Sequence, residues 1–227
     1  LAPGTVIISA AGQCDDVTNI VTPVAQEKGG DLYYINMSSD AFKLGGSSFA
    51  QNLDQIGNET PSVTNAAYFK KAFNLVQKAI KENRITSGHD IGSGGLITSL
   101  LELCFPSTQI GLDIDLNTLV DTDLISVLFA ENPGLILQST TNLTAYFAKE
   151  DITAIPIGKV TTSGELSIGN TRLNIAEMRQ HWMLTSSKLE EKQTREDLAK
   201  TRLNNSVKQP LKFVFPNNFS GQKPAVK

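Results

Sequence analysis

The chain has 227 residues, of which 40% are hydrophobic and 19% charged, enough apolar material for one well-buried core and a small appendage. Its formal net charge is −3 and aromatic residues make up 7%, so it lacks the basic surface and the stacking rings that nucleic-acid binding needs. The longest apolar stretches fall well short of the roughly 18 residues that a membrane-spanning helix requires. We therefore expect neither a nucleic-acid-binding protein nor a membrane protein.

The two cysteines, Cys14 and Cys104, lie within or beside apolar segments and show no metal-ligand spacing. A reduced, cytoplasmic setting is the simplest interpretation, and Cys104 is too embedded in apolar sequence to suit a nucleophile. No basic leader followed by an apolar run indicates secretion. Because the chain starts at Leu1 without a methionine and ends in a segment rich in proline and asparagine, we expect a domain cut from a longer protein.

The first third of the chain predicts two strands and two helices. Segments rich in β-branched residues predict buried strands over 5–10 and 31–37. Between them the sequence predicts a short helix over 17–21, capped by Asp15 or Asp16. Apolar residues then recur at helical spacing, with lysines on the opposite face, and predict a long helix over residues 65–84.

Between residues 93 and 168 the hydrophobic pattern alternates between helical and strand-like periods. At the end of this region, residues 154–160 and 165–168 are predicted to form a hairpin. Strands that alternate with helices favour a layered α+β domain (α/β/α), a mixed sheet flanked by helices. The elements predicted before the hairpin are helices over 93–105, 121–130 and 142–149, and strands over 111–116 and 135–138.

The composition changes after Ile175. Residues 176 to about 203 form a polar stretch of helical character with a thin apolar face, and residues 204–227 hold three prolines. We predict a domain over residues 1–175, followed over 176–227 by a polar helix and a connector toward a missing domain.

Two glycine-rich corners, each leading into a predicted helix, are the strongest candidates for a binding site. Their small residues let the backbone approach an anion, and the first N–H groups of a helix point outward at the positive end of its dipole. Phosphate is the natural ligand. For either corner alone, the more common interpretation is a tight turn with a serine cap. Loop 1 comprises Gly45, Gly46, Ser47 and Ser48, and loop 2 comprises Gly92, Ser93, Gly94 and Gly95.

Three further residues are candidates for chemistry. His89 and Asp90 precede loop 2 and together could orient a substrate, relay a proton or support a metal. Alternatively, His89 hydrogen-bonds a backbone carbonyl and Asp90 caps the turn. Glu131 could reach a bound amine or Mg²⁺, although a residue at the end of a helix is more often simply solvated. His181 is expected to be structural, and the sequence assembles no Ser/His/Asp triad.

The segments FKLGGSSFAQ, SGHDIGSGGLITSLLELCF and LFAENPGLILQ follow one another in this order. Together they resemble the second carboxy-terminal-type AIR-synthase domain of the phosphoribosylformylglycinamidine synthases, the large formylglycinamide ribonucleotide amidotransferases. The opening PGTVIISAAGQCDDVTNIVTP and the later IPIGKV extend the resemblance over nearly the whole chain. The final KPAVK resembles the start of the segment that leads into the glutaminase domain of that family.

The resemblance implies a parent enzyme that amidates formylglycinamide ribonucleotide in purine biosynthesis with ATP, glutamine and Mg²⁺. The other AIR-synthase-type domains and the glutaminase domain would lie outside this chain, and the fragment alone is expected to be inactive. By the resemblance, Gly45, Gly46 and Ser47 match the LGGS loop of the family. His89, Asp90, Gly94 and Gly95 match its HDxSDGG loop, and these residues become the best candidates to hold the ribonucleotide phosphate or line the active cleft. Two departures stand out: Gly92-Ser93 replaces Ser-Asp, and Glu131-Asn132 replaces Glu-Glu.

Two other interpretations stay open at this point. Other enzymes with the same fold, such as AIR synthase, selenophosphate synthase and a hydrogenase-maturation factor, share the architecture, so the fold alone does not decide between them. A non-catalytic structural domain, with both glycine loops serving only as turns, is the alternative from a different class.

Overall fold

The described residues of the computed structural model, 7–13, 16, 19–119 and 123–206, contain one seven-stranded sheet. Its strands are β1 (Asp31–Asn36), β2 (Ser87–Asp90), β3 (Gly111–Ile114), β4 (Gly134–Ser139), β5 (Ile155–Thr161), β6 (Glu165–Ile168) and β7 (Thr171–Asn174). They lie in the order β2-β4-β1-β5-β3-β6-β7. Neighbouring strands are antiparallel except for β3 and β6, so the sheet is mixed, as the sequence predicts.

Several helices begin after a residue whose side chain caps them. Asn65 accepts a hydrogen bond from the amide of Tyr68, and Asn142 from that of Ala145, so each asparagine caps the helix that follows it. The helices are α1 (Ser48–Asn52), α2 (Ala66–Lys81), α3 (Gly95–Cys104), α4 (Leu124–Phe129), α5 (Leu143–Ala148), α6 (Ile175–Gln193) and α7 (Glu196–Asn204). None of them is both long and apolar enough to cross a membrane.

The core lies on both faces of the sheet. Leu32 and Tyr34 of β1 pack in the cluster that contains the apolar residues of α3 and α4. Tyr33 and Ile35 face the opposite way and pack with α2 and α5. Successive side chains of a strand point to opposite faces, and β1 is therefore apolar throughout its centre. The layered α+β class predicted from the sequence is confirmed.

The predicted hairpin of residues 154–160 and 165–168 is wrong. Both strands exist, but β3 lies between them, paired antiparallel with β5 and parallel with β6. The hairpin partner of β6 is β7, which the sequence interpretation missed. The turn residues between β5 and β6 favoured pairing of these two neighbouring strands. The strand that lies between them in the sheet, β3, ends more than forty residues before β5 begins.

The strand predicted over residues 5–10 is also wrong where it can be checked. Residues 7–10 have no regular structure, and Ile7 is 87% exposed. A β-branched segment becomes a strand only when a partner completes its hydrogen bonds, and no described strand pairs with this one. Residues 5 and 6 lie outside the described residues, as do Asp15 and residues 17 and 18 of the helix predicted over 17–21. The described residues of that helix, 19–21, are not helical.

The predicted helices over 65–84, 93–105 and 142–149 are confirmed, as are the strands over 31–37, 111–116 and 135–138. Of the helix predicted over 121–130, residues 124–129 are helical, and residues 121 and 122 lie outside the described ranges. The polar helix predicted over 176–203 is two helices, α6 and α7. They are interrupted at Arg195, whose backbone is extended with ψ 136°.

The chain divides into two compact units, residues 1–181 and 182–227. The first contains the whole sheet, and the second contains the end of α6 and all of α7. Within the second unit, Ala199 is buried and Arg202 forms an ion pair with Glu190. The predicted domain boundary at residue 175 stays a prediction.

Candidate functional site at two glycine loops

The turn between α4 and β4 brings the two glycine loops together. The Oε1 atom of Glu131 accepts a hydrogen bond from the amide of Ser48 in loop 1 at 2.7 Å, and another from the amide of Gly94 in loop 2 at 2.8 Å. Both distances are short for N–H···O bonds, as expected for a charged acceptor. The loops are therefore neighbours, as a shared phosphate site requires.

Packing at the end of α4 reinforces this arrangement. The ring of Phe49, which follows loop 1, stacks on that of Phe129 with 4.6 Å between centroids. Gly95 of loop 2 has φ +73°, and a Cβ atom there would lie 2.7 Å from the carbonyl oxygen of Leu128. Only glycine accepts both that backbone conformation and that close approach. The end of α4 is thus a common support for the two loops.

Asn132 fixes the chain that enters loop 1. Its buried side-chain amide donates to the hydroxyl of Ser38 at 3.0 Å and to the carbonyl of Ala41 at 2.9 Å. In the same segment, Lys43 and Asp40 form an ion pair with 2.8 Å between Nζ and Oδ2. The bond from the Lys43 ammonium lowers the pKa of the Asp40 carboxyl, with smaller contributions from two backbone amides. The segment before loop 1 is therefore held by hydrogen bonds and an ion pair.

The backbone amides of loop 1 all have partners inside the protein. The amide of Gly45 donates to Glu59 at 2.8 Å, that of Gly46 to Ile56 at 2.7 Å and that of Ser47 to Leu44 at 3.1 Å, in each case to the carbonyl oxygen. Together with the bond from Ser48 to Glu131, these contacts leave no amide of loop 1 for an anion. The hydroxyl of Ser47 accepts from the amide of Ala50 and so caps α1. This geometry matches the tight turn with a serine cap.

Loop 2 keeps donors that loop 1 lacks. The amide of Gly95 donates to the carbonyl of Gly92 at 3.1 Å, and that of Gly94 to Glu131. The amides of Gly92 and Ser93 have no hydrogen-bond partner in the described part of the chain. Ser93 is exposed, and a Cβ atom on Gly92 would meet nothing within 4 Å. These two amides lie just before α3, where the N–H groups of a helix N-terminus favour an anion.

His89 has an internal partner at each ring nitrogen. Nδ1 lies 2.6 Å from the carbonyl oxygen of Asp90, and Nε2 lies 3.2 Å from a carboxylate oxygen of Glu102 on α3. The ring is 17% exposed, while the carboxylate of Asp90 is 80% exposed. This placement matches the interpretation in which the histidine binds a backbone carbonyl. Catalytic roles for His89 and Asp90 stay predictions.

A cavity of about 630 Å³ lies beside the site, between α2 and the sheet. His89, Asp90 and Glu131 contribute to its wall, whereas no residue of loop 1 or loop 2 does. Most of the wall is apolar, and the residues that α2 supplies are Phe69, Phe73, Val76, Gln77 and Ile80. The cavity suits an apolar group better than a phosphate.

No group of three or more His, Cys, Asp or Glu side chains that could hold a metal ion occurs among the described residues. The predicted metal role of Glu131 therefore has no neighbouring ligands there, and it stays a prediction. Cys104 is buried, and its burial raises the pKa of the thiol to about 12, which matches its assignment as unreactive. Cys14 lies outside the described residues. His181 is exposed on α6, outside the core clusters.

Sequence reasoning missed the residues that join the site together. It singled out Glu131 as a helix terminus and Asn132 as a departure from the family pattern, without their contacts to the loops. The stacking of Phe49 on Phe129 was missed as well. No local signal identifies these partners because each contact joins segments far apart in the chain.

The family model described as AIR synthase related protein, C-terminal domain, matches residues 34–169, which is more than half of the chain. The chain belongs to this family. The matched region contains both glycine loops and Glu131.

Named relatives extend this result. The chain is 39% identical over 203 residues to a probable phosphoribosylformylglycinamidine synthase, chloroplastic/mitochondrial, of Arabidopsis thaliana, a match that covers 85% of this chain and 14% of the relative. It is 40% identical over 139 residues to the phosphoribosylformylglycinamidine synthase of Homo sapiens, covering 60% of this chain and 10% of the relative. The resemblance drawn from the three motifs is confirmed, and the chain spans only a small part of these relatives.

Solved structures support the same fold. A structure described as T. maritima PurL complexed with FGAR has a TM-score of 0.54 at 15% identity, covering 72% of this chain and 30% of that chain. A structure of the same protein complexed with ATP has a TM-score of 0.53 at 13% identity, covering 72% of this chain and 28% of that one. At these identities, the likeness concerns the fold alone.

Proposed function

We propose that the chain is the second AIR-synthase carboxy-terminal-type part of a longer phosphoribosylformylglycinamidine synthase. In this proposal the parent enzyme uses ATP and glutamine to amidate formylglycinamide ribonucleotide in purine biosynthesis. The observation that carries it is the 39% identity over 203 residues with the Arabidopsis relative of that name. The ligands named for the T. maritima PurL structures, FGAR and ATP, belong to the same chemistry.

Loop 2 is the proposed contact with the ribonucleotide phosphate. Gly92 and Ser93 offer two amides that have no partner among the described residues, just before a ten-residue helix whose dipole favours an anion. Loop 1 supports loop 2 by packing and donates no amide hydrogen bond to the phosphate. Its residues are Gly45, Gly46, Ser47 and Ser48. Gly94 and Gly95 shape the turn, since both have positive φ.

The remaining catalytic groups belong, in this proposal, to other parts of the parent enzyme. Stabilising a phosphoryl group in transfer takes several preorganised cations, and the ammonium of Lys43, which precedes loop 1, is already paired with Asp40. Further AIR-synthase-type domains would complete the cleft, and a glutaminase domain would supply ammonia. The isolated chain is accordingly predicted to be inactive. A cytoplasmic location also stays a prediction.

Magnesium has no fitting ligand set in the described part of this chain. One oxygen of the Glu131 carboxylate already accepts two amide hydrogen bonds, and no cluster of further acidic or imidazole ligands surrounds it. We therefore assign no step to Mg²⁺ at this corner. Any Mg²⁺ that accompanies ATP would be held by other parts of the parent enzyme.

The test is an assay of the intact protein that carries this chain. Formylglycinamide ribonucleotide, ATP and glutamine are supplied, and ADP and the amidated product are measured together. We expect equal amounts of the two products from the intact protein and none from this chain alone. Absence of any ATP-dependent product from the intact, folded protein would reject the proposal.

The fully engaged amides of loop 1 also favour a second candidate, a structural domain without ligand contacts. Isothermal titration separates the two candidates. Ribonucleotide that binds the intact protein, and binds it less well after a change at Gly92, supports a ligand-contacting domain. Binding that is unchanged by that substitution supports the structural role.

A further inference from the structure

We propose that Glu131 is a positioning residue that couples the two glycine loops, so that loop 2 presents the amides of Gly92 and Ser93 in a fixed place. This inference rests on the proposed function of loop 2 as a phosphate contact. It assigns Glu131 neither to a metal nor to the reacting atoms. Its basis is the pair of hydrogen bonds that converge on one carboxylate oxygen.

The first step is geometric. A carboxylate oxygen has two lone pairs, and Oε1 of Glu131 uses them for one donor from each loop, Ser48 and Gly94. The separation of the two amide nitrogens is therefore limited by two short bond lengths, 2.7 and 2.8 Å. A shift of either loop must break one of these bonds or move the carboxylate.

The second step concerns what else joins the loops. Phe49 ties the start of α1 to Phe129, and Gly95 packs on the backbone of Leu128 and Phe129. Each of these contacts holds one loop to the end of α4 through a different atom. Among the hydrogen bonds of the described residues, only those of Glu131 bring a single atom into contact with both loops.

The third step concerns the anion. The Glu131 carboxylate occupies the position that a phosphate oxygen would need in order to reach the amides of Ser48 and Gly94. A phosphate in that position would also meet a like charge, so it is directed to the neighbouring amides of Gly92 and Ser93. Glu131 thus narrows the phosphate contact to one side of loop 2.

Amide hydrogen exchange of the intact protein, read out at the amides of this chain, tests the coupling directly. In Glu131→Ala, the amides of Ser48 and Gly94 lose their common acceptor, and we expect their exchange rates to rise together, roughly tenfold or more, because a hydrogen bond to a charged group is lost at each. Glu131→Gln keeps a carbonyl oxygen that can accept both bonds and should preserve slow exchange. Glu131→Asp, one methylene shorter, should release at least one of the two amides and serves if the alanine variant does not fold.

Kinetics of the intact protein test the consequence for binding. We expect Glu131→Ala to raise the KM for formylglycinamide ribonucleotide roughly tenfold with a much smaller change in kcat, because a displaced phosphate contact weakens substrate binding. Glu131→Gln should stay within about threefold of the parent, since it retains the acceptor oxygen. Asp113 is exposed on β3 and belongs to neither loop, and it provides the control Asp113→Asn.

Three results would overturn the inference. The first is faster exchange at only one of the two amides in Glu131→Ala, which would mean that the loops are held independently. The second is an unchanged KM in that variant when its thermal stability has fallen, which would show a structural role only. The third is a lowered KM, which would show that Glu131 competes with phosphate. If the unaltered intact protein forms no amidated product, the proposed function fails instead, while the exchange experiment still decides the coupling.

Discussion

Loop 1 and loop 2 have similar compositions but different hydrogen bonding. Both contain adjacent glycines and serine, and both lead into a helix. In loop 1, Gly45, Gly46 and Ser47 donate to backbone carbonyls of nearby turns, so the loop is closed on itself. In loop 2, Gly92 and Ser93 keep amides without partners in the described part of the chain. A glycine-serine corner therefore does not by itself define an anion site.

The difference comes from the segments around each loop. Residues 56–59 fold back on loop 1 and supply two of its carbonyl acceptors. Loop 2 leaves the edge strand β2 and passes directly into α3, and no described segment supplies a carbonyl acceptor to the amides of Gly92 and Ser93. An anion site needs free donors as well as permissive glycines, and free donors depend on what packs nearby.

The largest expected effect is a difference in stability between alanine variants of two glycines in loop 2. Gly95→Ala places a Cβ atom 2.7 Å from the carbonyl oxygen of Leu128 at a φ of +73°, and we expect it to lower the free energy of unfolding by roughly 2–4 kcal/mol. Gly92→Ala is the matched control, because its Cβ atom meets nothing within 4 Å, and it should change stability by less than about 1 kcal/mol. Urea unfolding of both variants measures the difference. Equal stabilities would contradict the close packing of Gly95 on α4.

The next effect tests which loop contacts phosphate. Gly92→Asp introduces a negative charge beside the unpartnered amides and should raise the KM of the intact protein for formylglycinamide ribonucleotide roughly tenfold, about 1.4 kcal/mol. Gly92→Asn has nearly the same shape without the charge, so it should have a much smaller effect. Steady-state kinetics of the two variants decide the matter. Identical KM values for both would argue against an anion at loop 2.

The smallest effect compares the serines of the two loops. The hydroxyl of Ser47 is buried and caps α1 through the amide of Ala50, so Ser47→Ala should cost about 1 kcal/mol of stability. Ser93 is exposed, and its hydroxyl has no hydrogen bond within the described residues, so Ser93→Ala should leave stability nearly unchanged. Thermal unfolding of the two variants checks this ranking. A larger loss for Ser93→Ala would reverse the roles assigned to the two loops.

Most of the fold follows from local sequence patterns. The helical spacing over residues 65–84 and the apolar run over 31–37 each predicted an element that the structure contains. The hairpin prediction failed because turn residues report which segments bend, whereas strand pairing depends on contacts across the whole sheet. The segment over residues 5–10 failed for a related reason, since β-propensity has no effect without a pairing partner.

The candidate site, like the fold, was only partly predictable from the sequence. Its residue types were recognisable from the three ordered motifs, which also led to the family that the comparisons confirm. The sequence did not reveal that Glu131 lies between the loops, or that His89 contacts Glu102 on α3. These contacts join residues from different elements, and the spacing along the chain does not encode them.

The sequence by itself determined the fold class, most of the helices and strands, and the family, because hydrophobic periodicity and ordered motifs are properties of the chain. Only the tertiary structure decided which backbone amides are free, which strands pair and which carboxylate joins the two loops. The physical reason is that a hydrogen-bond donor is available to a ligand only if no other part of the folded chain has satisfied it. Gly46 and Gly92 look alike in sequence, but within the described part of the folded chain only the Gly46 amide has a hydrogen-bond partner.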